Sequence, residues 1–235
     1  MKIRMKFSKT GPLMYVGHLD TLRYFQKVFR RSGVDIAYSN GFSPHQILSF
    51  AAPLGIGVTS EGEYLDTEFH SVTTSKEMLK QINEAALTPY IEVTELVQLE
   101  EGAKKAMAAV AGADYRLTFA AGYENKECLI KAVPDFLAQK EIVITKQTKK
   151  GEKKEIDLRP LIHQLTVQMD ALLMRLTTGS SNNLRPDTVM ESLAAFAGVE
   201  YESLSFYVHR LDTLLWKEGE NCFAPLSSAG HPIGS

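Results

Sequence analysis

Cysteine is nearly absent, with only Cys128 and Cys222 in 235 residues. Two thiols so far apart give no disulfide framework, no close Cys/His spacing of a zinc site and no three-cysteine motif. A [4Fe–4S] centre held by this chain alone is thereby excluded, and no metal site is expected. Both thiols are expected to be free and at least partly buried. Long apolar runs are lacking as well. The opening Met1-Lys2-Ile3-Arg4-Met5-Lys6-Phe7 alternates apolar and basic residues instead of forming the apolar core of a signal peptide, and no run reaches membrane length. The expectation is a cytoplasmic protein with no membrane partner. The polar bias of a disordered chain is missing too. At 44% hydrophobic and 23% charged residues the composition is that of an ordinary globular protein, long enough for one large domain or two smaller ones.

The net charge of −2 is unevenly spread: residues 1–60 carry +6, and the remainder therefore −8. A basic end on an acidic protein points to a local anionic partner, a phosphate backbone or an acidic protein face; the plainer reading is a pair of solvated faces. Ile3, Met5 and Phe7 alternate with Lys2, Arg4 and Lys6, predicting a strand with one face in the core and a cationic opposite face. From Gly17-His18 onward, Leu19, Leu22, Phe25, Val28 and Phe29 recur at helical spacing. Arg23, Lys27, Arg30 and Arg31 form a second stripe on that helix, and Gly33 stops it.

Further strands are predicted at Ile36–Tyr38 and at Glu63–Phe69, with another short apolar run at 47–52. A helix over 75–87 then leads to a strand over 91–96. The order β-α-β-β-α-β is the ferredoxin-like pattern, in which two helices cover one face of an antiparallel sheet and leave the other free. The same order restarts with a strand at Tyr115–Phe119, a helix at Lys126–Gln139 and a strand at Glu141–Gln147. Lysine-rich 149–154 reads as a hairpin tip, followed by strands near 155–158, 161–168 and 171–177, a helix at 186–197 and a last strand at 204–211. The fold class expected is α+β: tandem ferredoxin-like βαββαβ halves with antiparallel sheets. Residues 1–98 form the first half, 99–113 a connector, 114–215 the second half and 216–235 a tail.

The densest chemistry lies in Tyr38-Ser39-Asn40-Gly41-Phe42-Ser43-Pro44-His45 and the glycine-spaced run from Pro53 to Tyr64, read together as the connection between the second and third strands. Asn40-Gly41 accepts positive φ, and Gly55, Gly57 and Gly62 permit close approach to the main chain. Tyr38, Phe42 and Phe50 can stack on bases while nearby cations neutralise phosphate, which suits single-stranded or looped RNA; alternatively Phe42 and Phe50 plug the core. Gly55-Ile56-Gly57 lacks the context of a dinucleotide fingerprint. His18 and His45 are the candidates for acid-base work, with Asp20, Arg23 and Arg30 beside them; two histidines and a cation can cleave RNA without metal, whereas a loop histidine more often serves structure. Ser60 lacks a nucleophile elbow. In the second half, Arg185 before Pro186 can hold an anion at a helix start, or simply end a capped loop.

Tyr15-Val16-Gly17-His18-Leu19-Asp20, Arg30-Arg31-Ser32-Gly33, Tyr38 to His45, Pro53-Leu54-Gly55-Ile56-Gly57, Ser60-Glu61-Gly62-Glu63-Tyr64 and Asn183-Leu184-Arg185-Pro186 resemble the bacterial radical-SAM-linked domain of unknown function. The resemblance spans roughly residues 1–211, with Gly17 where the family commonly has Ser. It implies a partner, a B12-binding-type radical SAM protein that would carry the [4Fe–4S] cluster and S-adenosylmethionine, with no cofactor in this chain. The expected function is thus an accessory or substrate-binding protein that recognises RNA or an RNA–protein substrate through Asp20, Arg23, Arg30, Tyr38, Asn40, Phe42 and Arg185. The alternatives are a metal-independent RNA endonuclease using His18 and His45, and a purely structural docking module.

Overall fold

The computed structural model describes residues 1–147, 153–180 and 182–234. In chain order it comprises β1 (Lys2–Lys9), α1 (His18–Ser32), β2 (Leu48–Phe50), β3 (Val58–Glu68), α2 (Ser75–Glu84), β4 (Ile91–Leu99), α3 (Ala106–Ala109), β5 (Val110–Phe119) and α4 (Lys126–Ala138). There follow β6 (Val143–Gln147), β7 (Lys153–Asp157), β8 (Ile162–Gln168), β9 (Ala171–Thr177), α5 (Pro186–Ala197), β10 (Phe206–Lys217), β11 (Cys222–Pro225) and β12 (Gly230–Pro232). The fold is α+β with mostly antiparallel strands. Two units divide the chain, one of residues 1–111 with 210–235 and the other of residues 112–209.

In the first unit β1 lies antiparallel between β3 and β4, and β2 pairs with β3. The order β4-β1-β3-β2, with a helix after β1 and after β3, is a split βαβ arrangement. Alternation puts Ile3, Met5 and Phe7 on one side of β1, where they are buried with Phe25, Val28 and Phe29 of α1 and Met78 and Ile82 of α2. Phe7 meets Phe25 edge-on at 4.8 Å, and Phe50 closes the group at 6.0 Å from Phe7, so Phe50 is a core residue. α1 ends where Gly33 turns left-handed at φ 70°, and α2 opens with a reciprocal cap between Thr74 and Glu77.

The opposite face of this sheet is neither free nor a cationic surface, contrary to the alternation-based expectation. Arg4 is fully buried, with Nε on Asp66 Oδ1 at 2.7 Å and Nη2 on Oδ2 at 3.0 Å. Its guanidinium also donates to the carbonyls of Leu226 and Lys104, each at 3.0 Å. Lys6 pairs with Asp212 at 2.8 Å, and Tyr64 donates to the same carboxylate at 2.8 Å. Period two fixes which side a cation is on, but carboxylates distant in sequence decide whether that side meets water.

The expected divisions shift for the same reason. Within 99–113 lie α3 and the start of β5, and 216–235 is no tail. β11 pairs with the end of β10, β12 pairs with β4, and Ile233 is buried in the helix-side core. Ile36 and Tyr38 make only isolated bridges, to Phe69 and Gln46, so the second strand is Leu48–Phe50 and the loop over 39–45 precedes it.

In the second unit β9 lies antiparallel between β5 and β8, with the start of β10 beyond β5. α4 and α5 meet through Phe136 and Phe196 at 5.7 Å. Leu129, Val133 and Phe136 form the buried stripe of α4 at helical spacing, which leaves Cys128 exposed, unlike the expectation for it; Cys222 is partly buried. β6 and β7 pair as a separate hairpin; of the tip predicted over 149–154, residues 149–152 lie outside the described residues, whereas Lys153 and Lys154 belong to β7 and pair with Gln147 and Lys146. No helix among the described residues is long and apolar enough to cross a membrane.

Candidate functional site

Two loops of the first unit meet at the N-terminal end of α1. A short 3-10 turn, Gly11–Tyr15, leads from β1 to Gly17, the residue before the helix. Gly11 takes φ +53° and packs under Tyr90, whose ring would lie 2.6 Å from any Cβ placed there. The connection from β2 to β3 is tied to the same turn, because Gly57 N donates to Met14 O at 2.9 Å.

Beneath these loops sits a charge cluster that motif reading passed over. Lys9 is buried, and its Nζ donates to Val16 O at 2.6 Å just ahead of α1. Arg210 Nη1 donates to Ala52 O at 2.8 Å and to Glu63 Oε1 at 3.0 Å, with Glu63 itself buried. Burial pushes the Lys9 ammonium below the ordinary lysine value, while the Glu63 carboxylate pulls the other way. Lys9 and Arg210 thus each grip the main chain of a different loop, and Glu63 pairs with Arg210. Lys9 shares the parity of Ile3, Met5 and Phe7, the one signal in the sequence that assigns it to the interior.

Phe7, Lys9, His18, Thr21, Phe50, Pro53, Leu54 and Glu63 line a small pocket whose free core is about 10 Å³. That is room for about one water. Around it the side chains face outward. His18 is exposed, as are Tyr15, Leu19 and Ile56. Arg23 pairs with Asp20 at 2.9 Å on the surface, an interaction worth about 0.2–1 kcal/mol, and the Nε of Arg30 donates to Gln26 O. Lys27 and Arg31 are exposed along the same helix.

The loop over 39–45 rises beside α1, since Gln46 donates to Gln26 O at 3.3 Å and to Tyr38 Oη at 3.5 Å. His45 closes this loop. Its Nδ1 lies 2.9 Å from Ser39 Oγ, its N–H donates to the same oxygen at 3.1 Å, and its carbonyl accepts from Ser39 N at 2.8 Å. At the tip Gly41 adopts φ +120°, Asn40 is exposed, and Phe42 projects wholly into solvent.

Of the sequence-selected residues, His18, Asp20, Arg23, Arg30, Tyr38, Asn40, Phe42 and His45 all belong to the first unit, with His18 and Asp20 in the first turn of α1 and Arg30 in its last. His18 and His45 have separate surroundings, one lining the pocket and the other bonded within its own loop. Arg185 is an exposed residue of the second unit, where its carbonyl accepts from Thr188 and Val189 at the start of α5. The ionisable groups under the pocket hold backbone, and the groups above it present rings and charge.

The sequence profile of the family described as "Uncharacterized protein conserved in bacteria (DUF2344)" matches residues 2–186. No curated protein matches the chain. Among solved structures, a chain in the "Crystal Structure of a Cbf5-Nop10-Gar1 Complex" aligns with 90% of this chain and 48% of its own, at 10% identity and a TM-score of 0.41. The present chain therefore spans about half the length of that one.

Proposed function

We propose, from the premise that this chain belongs to the DUF2344 family of bacterial proteins, that it is a recognition module for single-stranded or looped RNA, serving a partner enzyme that performs the chemistry. The observation that carries this reading is the solvent-facing set Tyr15, Leu19, Tyr38, Phe42 and Ile56 beside the exposed cations Arg23, Lys27, Arg30 and Arg31. A base stacks on an exposed ring whatever its identity, and a row of guanidinium groups neutralises the phosphates between stacked bases. Lys9 and Arg210 brace the loops that carry Tyr15 and Ile56 before anything binds. The family resemblance in the sequence supports a radical SAM protein as the partner. The cluster and S-adenosylmethionine would then reside there, with this chain presenting the substrate.

The test is titration of labelled single-stranded RNA oligonucleotides at two salt concentrations. Binding that weakens with salt, and again when Arg23 and Arg30 become Ala, supports the proposal. Absent binding, or binding indifferent to those substitutions, removes it. Co-purification of the radical SAM protein that survives nuclease would assign the partnership to protein contacts.

A further inference from the structure

A second concavity lies on the other side of the first unit's sheet, away from α1 and α2. It encloses about 630 Å³ and is walled by Leu215, Trp216 and Val110 over a floor of Ala103, Ala108 and Ala109. Trp216, the only tryptophan in the sequence, is 42% exposed there, with its ring edge-on to Phe223 at 4.9 Å. An indole left nearly half in water at the wall of a groove is the kind of side chain that anchors a partner. Small side chains on the floor let an incoming backbone come close.

The groove is preformed. Arg4, fully buried, donates to Lys104 O on one wall and to Leu226 O beneath the other, while Asp66 Oδ2 accepts from Ala106 N at 2.7 Å. One guanidinium therefore anchors both sides, so an occupant meets an ordered surface at little cost in chain entropy.

Charge decides the occupant. Glu100, Glu101 and Glu218 line the groove against Lys104 alone, and the three carboxylates are exposed and form no ion pair among the described residues. Such a rim repels nucleic acid, whose phosphates suit α1 instead, and attracts cations that can also lie on the Trp216 face. We infer that this groove docks a basic amphipathic segment of another protein, with an arginine or lysine over Trp216 and within reach of Glu218, and apolar side chains against Leu215 and Val110. The inference stands independently of the RNA reading.

Because Trp216 is the sole tryptophan, its emission reports on the groove directly. The experiment titrates the full chain with an Arg/Leu amphipathic peptide free of Trp and Tyr, with its Glu/Leu counterpart, with arginine amide and with single-stranded RNA. The expected result is a saturable emission change for the basic peptide only, with affinity reduced about tenfold in the E101Q/E218Q double variant and by added salt. The R23A/R30A variant should bind the peptide as well as the parent chain does. An unchanged emission, an equal response to the acidic peptide or to RNA, or an affinity indifferent to the double substitution would overturn the proposal. So would an equal response to arginine amide, which would make this a small-cation site, or emission that varies with chain concentration alone, which would assign the groove to a second copy. Both glutamates are exposed, so the double variant should keep the parent's urea midpoint.

Discussion

Gly62 of β3 lies so close to Asp212 of β10 that a Cβ on the glycine would sit 2.3 Å from the Asp212 Cα and 2.6 Å from Leu211 O. The approach brings Thr213 Oγ1 to Gly62 O at 2.9 Å and sets Asp212 to receive Lys6 and Tyr64. Backbone, not a flexible side chain, would meet the added methyl. Gly62→Ala should therefore cost at least about 3 kcal/mol, the upper range for overpacking, read as a lowered midpoint in urea. An unchanged midpoint would mean that the two strands separate at little cost.

Arg4→Met removes a buried donor that serves one carboxylate and two carbonyls. The loss should be about 3–5 kcal/mol, as when one member of a buried pair is deleted. Arg4→Lys restores the charge but not the fork, so it should recover only part of the urea midpoint.

Phe42→Ala separates binding from stability. The ring is wholly exposed, so the thermal midpoint should stay within error of the parent. If the ring stacks on a base, RNA affinity should fall by about 1–3 kcal/mol, five- to more than a hundredfold. Equal affinities would take Phe42 out of the recognition surface.

His163 should give the second unit a pH dependence. Burial first, and then the positive charge of Arg175, hold its imidazole below the ordinary value of 6.5. As the pH falls below 6.5 the unfolded chain takes up a proton that the folded one still resists, so stability drops with falling pH down to the lowered folded value. Above 6.5 the contribution is complete. His163→Gln should flatten that part of the stability profile; a slope that survives would have to come from another group.

Much of this fold was legible in local pattern. The stripe of α1, the stop at Gly33 and the alternation of Ile3, Met5 and Phe7 each follow from spacing and are where that spacing places them. What spacing could not show was the fate of the opposite face. Arg4 and Lys6 looked like surface cations because Asp66 lies 62 residues from Arg4, and Asp212 lies 206 from Lys6. Arg4 and Lys6, together with Lys9 bound to Val16 O, are lost to the expected basic surface, leaving Lys2 and the cations of α1. Phe42 and Phe50 read alike in sequence and parted in the structure, since only Phe50 lies opposite Leu65 on β3 and beside Phe7 and Phe25. His45 illustrates the same limit, because its role follows from Ser39, with which it closes a seven-residue loop of its own.

The first unit is built from both ends of the sequence, residues 1–111 and 210–235, with the second unit spliced between them. During synthesis, its N-terminal portion must therefore wait while about 100 residues of the other unit are made and can fold ahead of it. Until Arg210 emerges, Glu63 holds a buried negative charge without its cation, and until Gly230 to Pro232 emerge, the outer edge of β4 is an unpaired strand. Chains cut short before residue 210 would carry a nearly complete unit with an open, adhesive sheet, which makes such fragments natural substrates for chaperones and proteases.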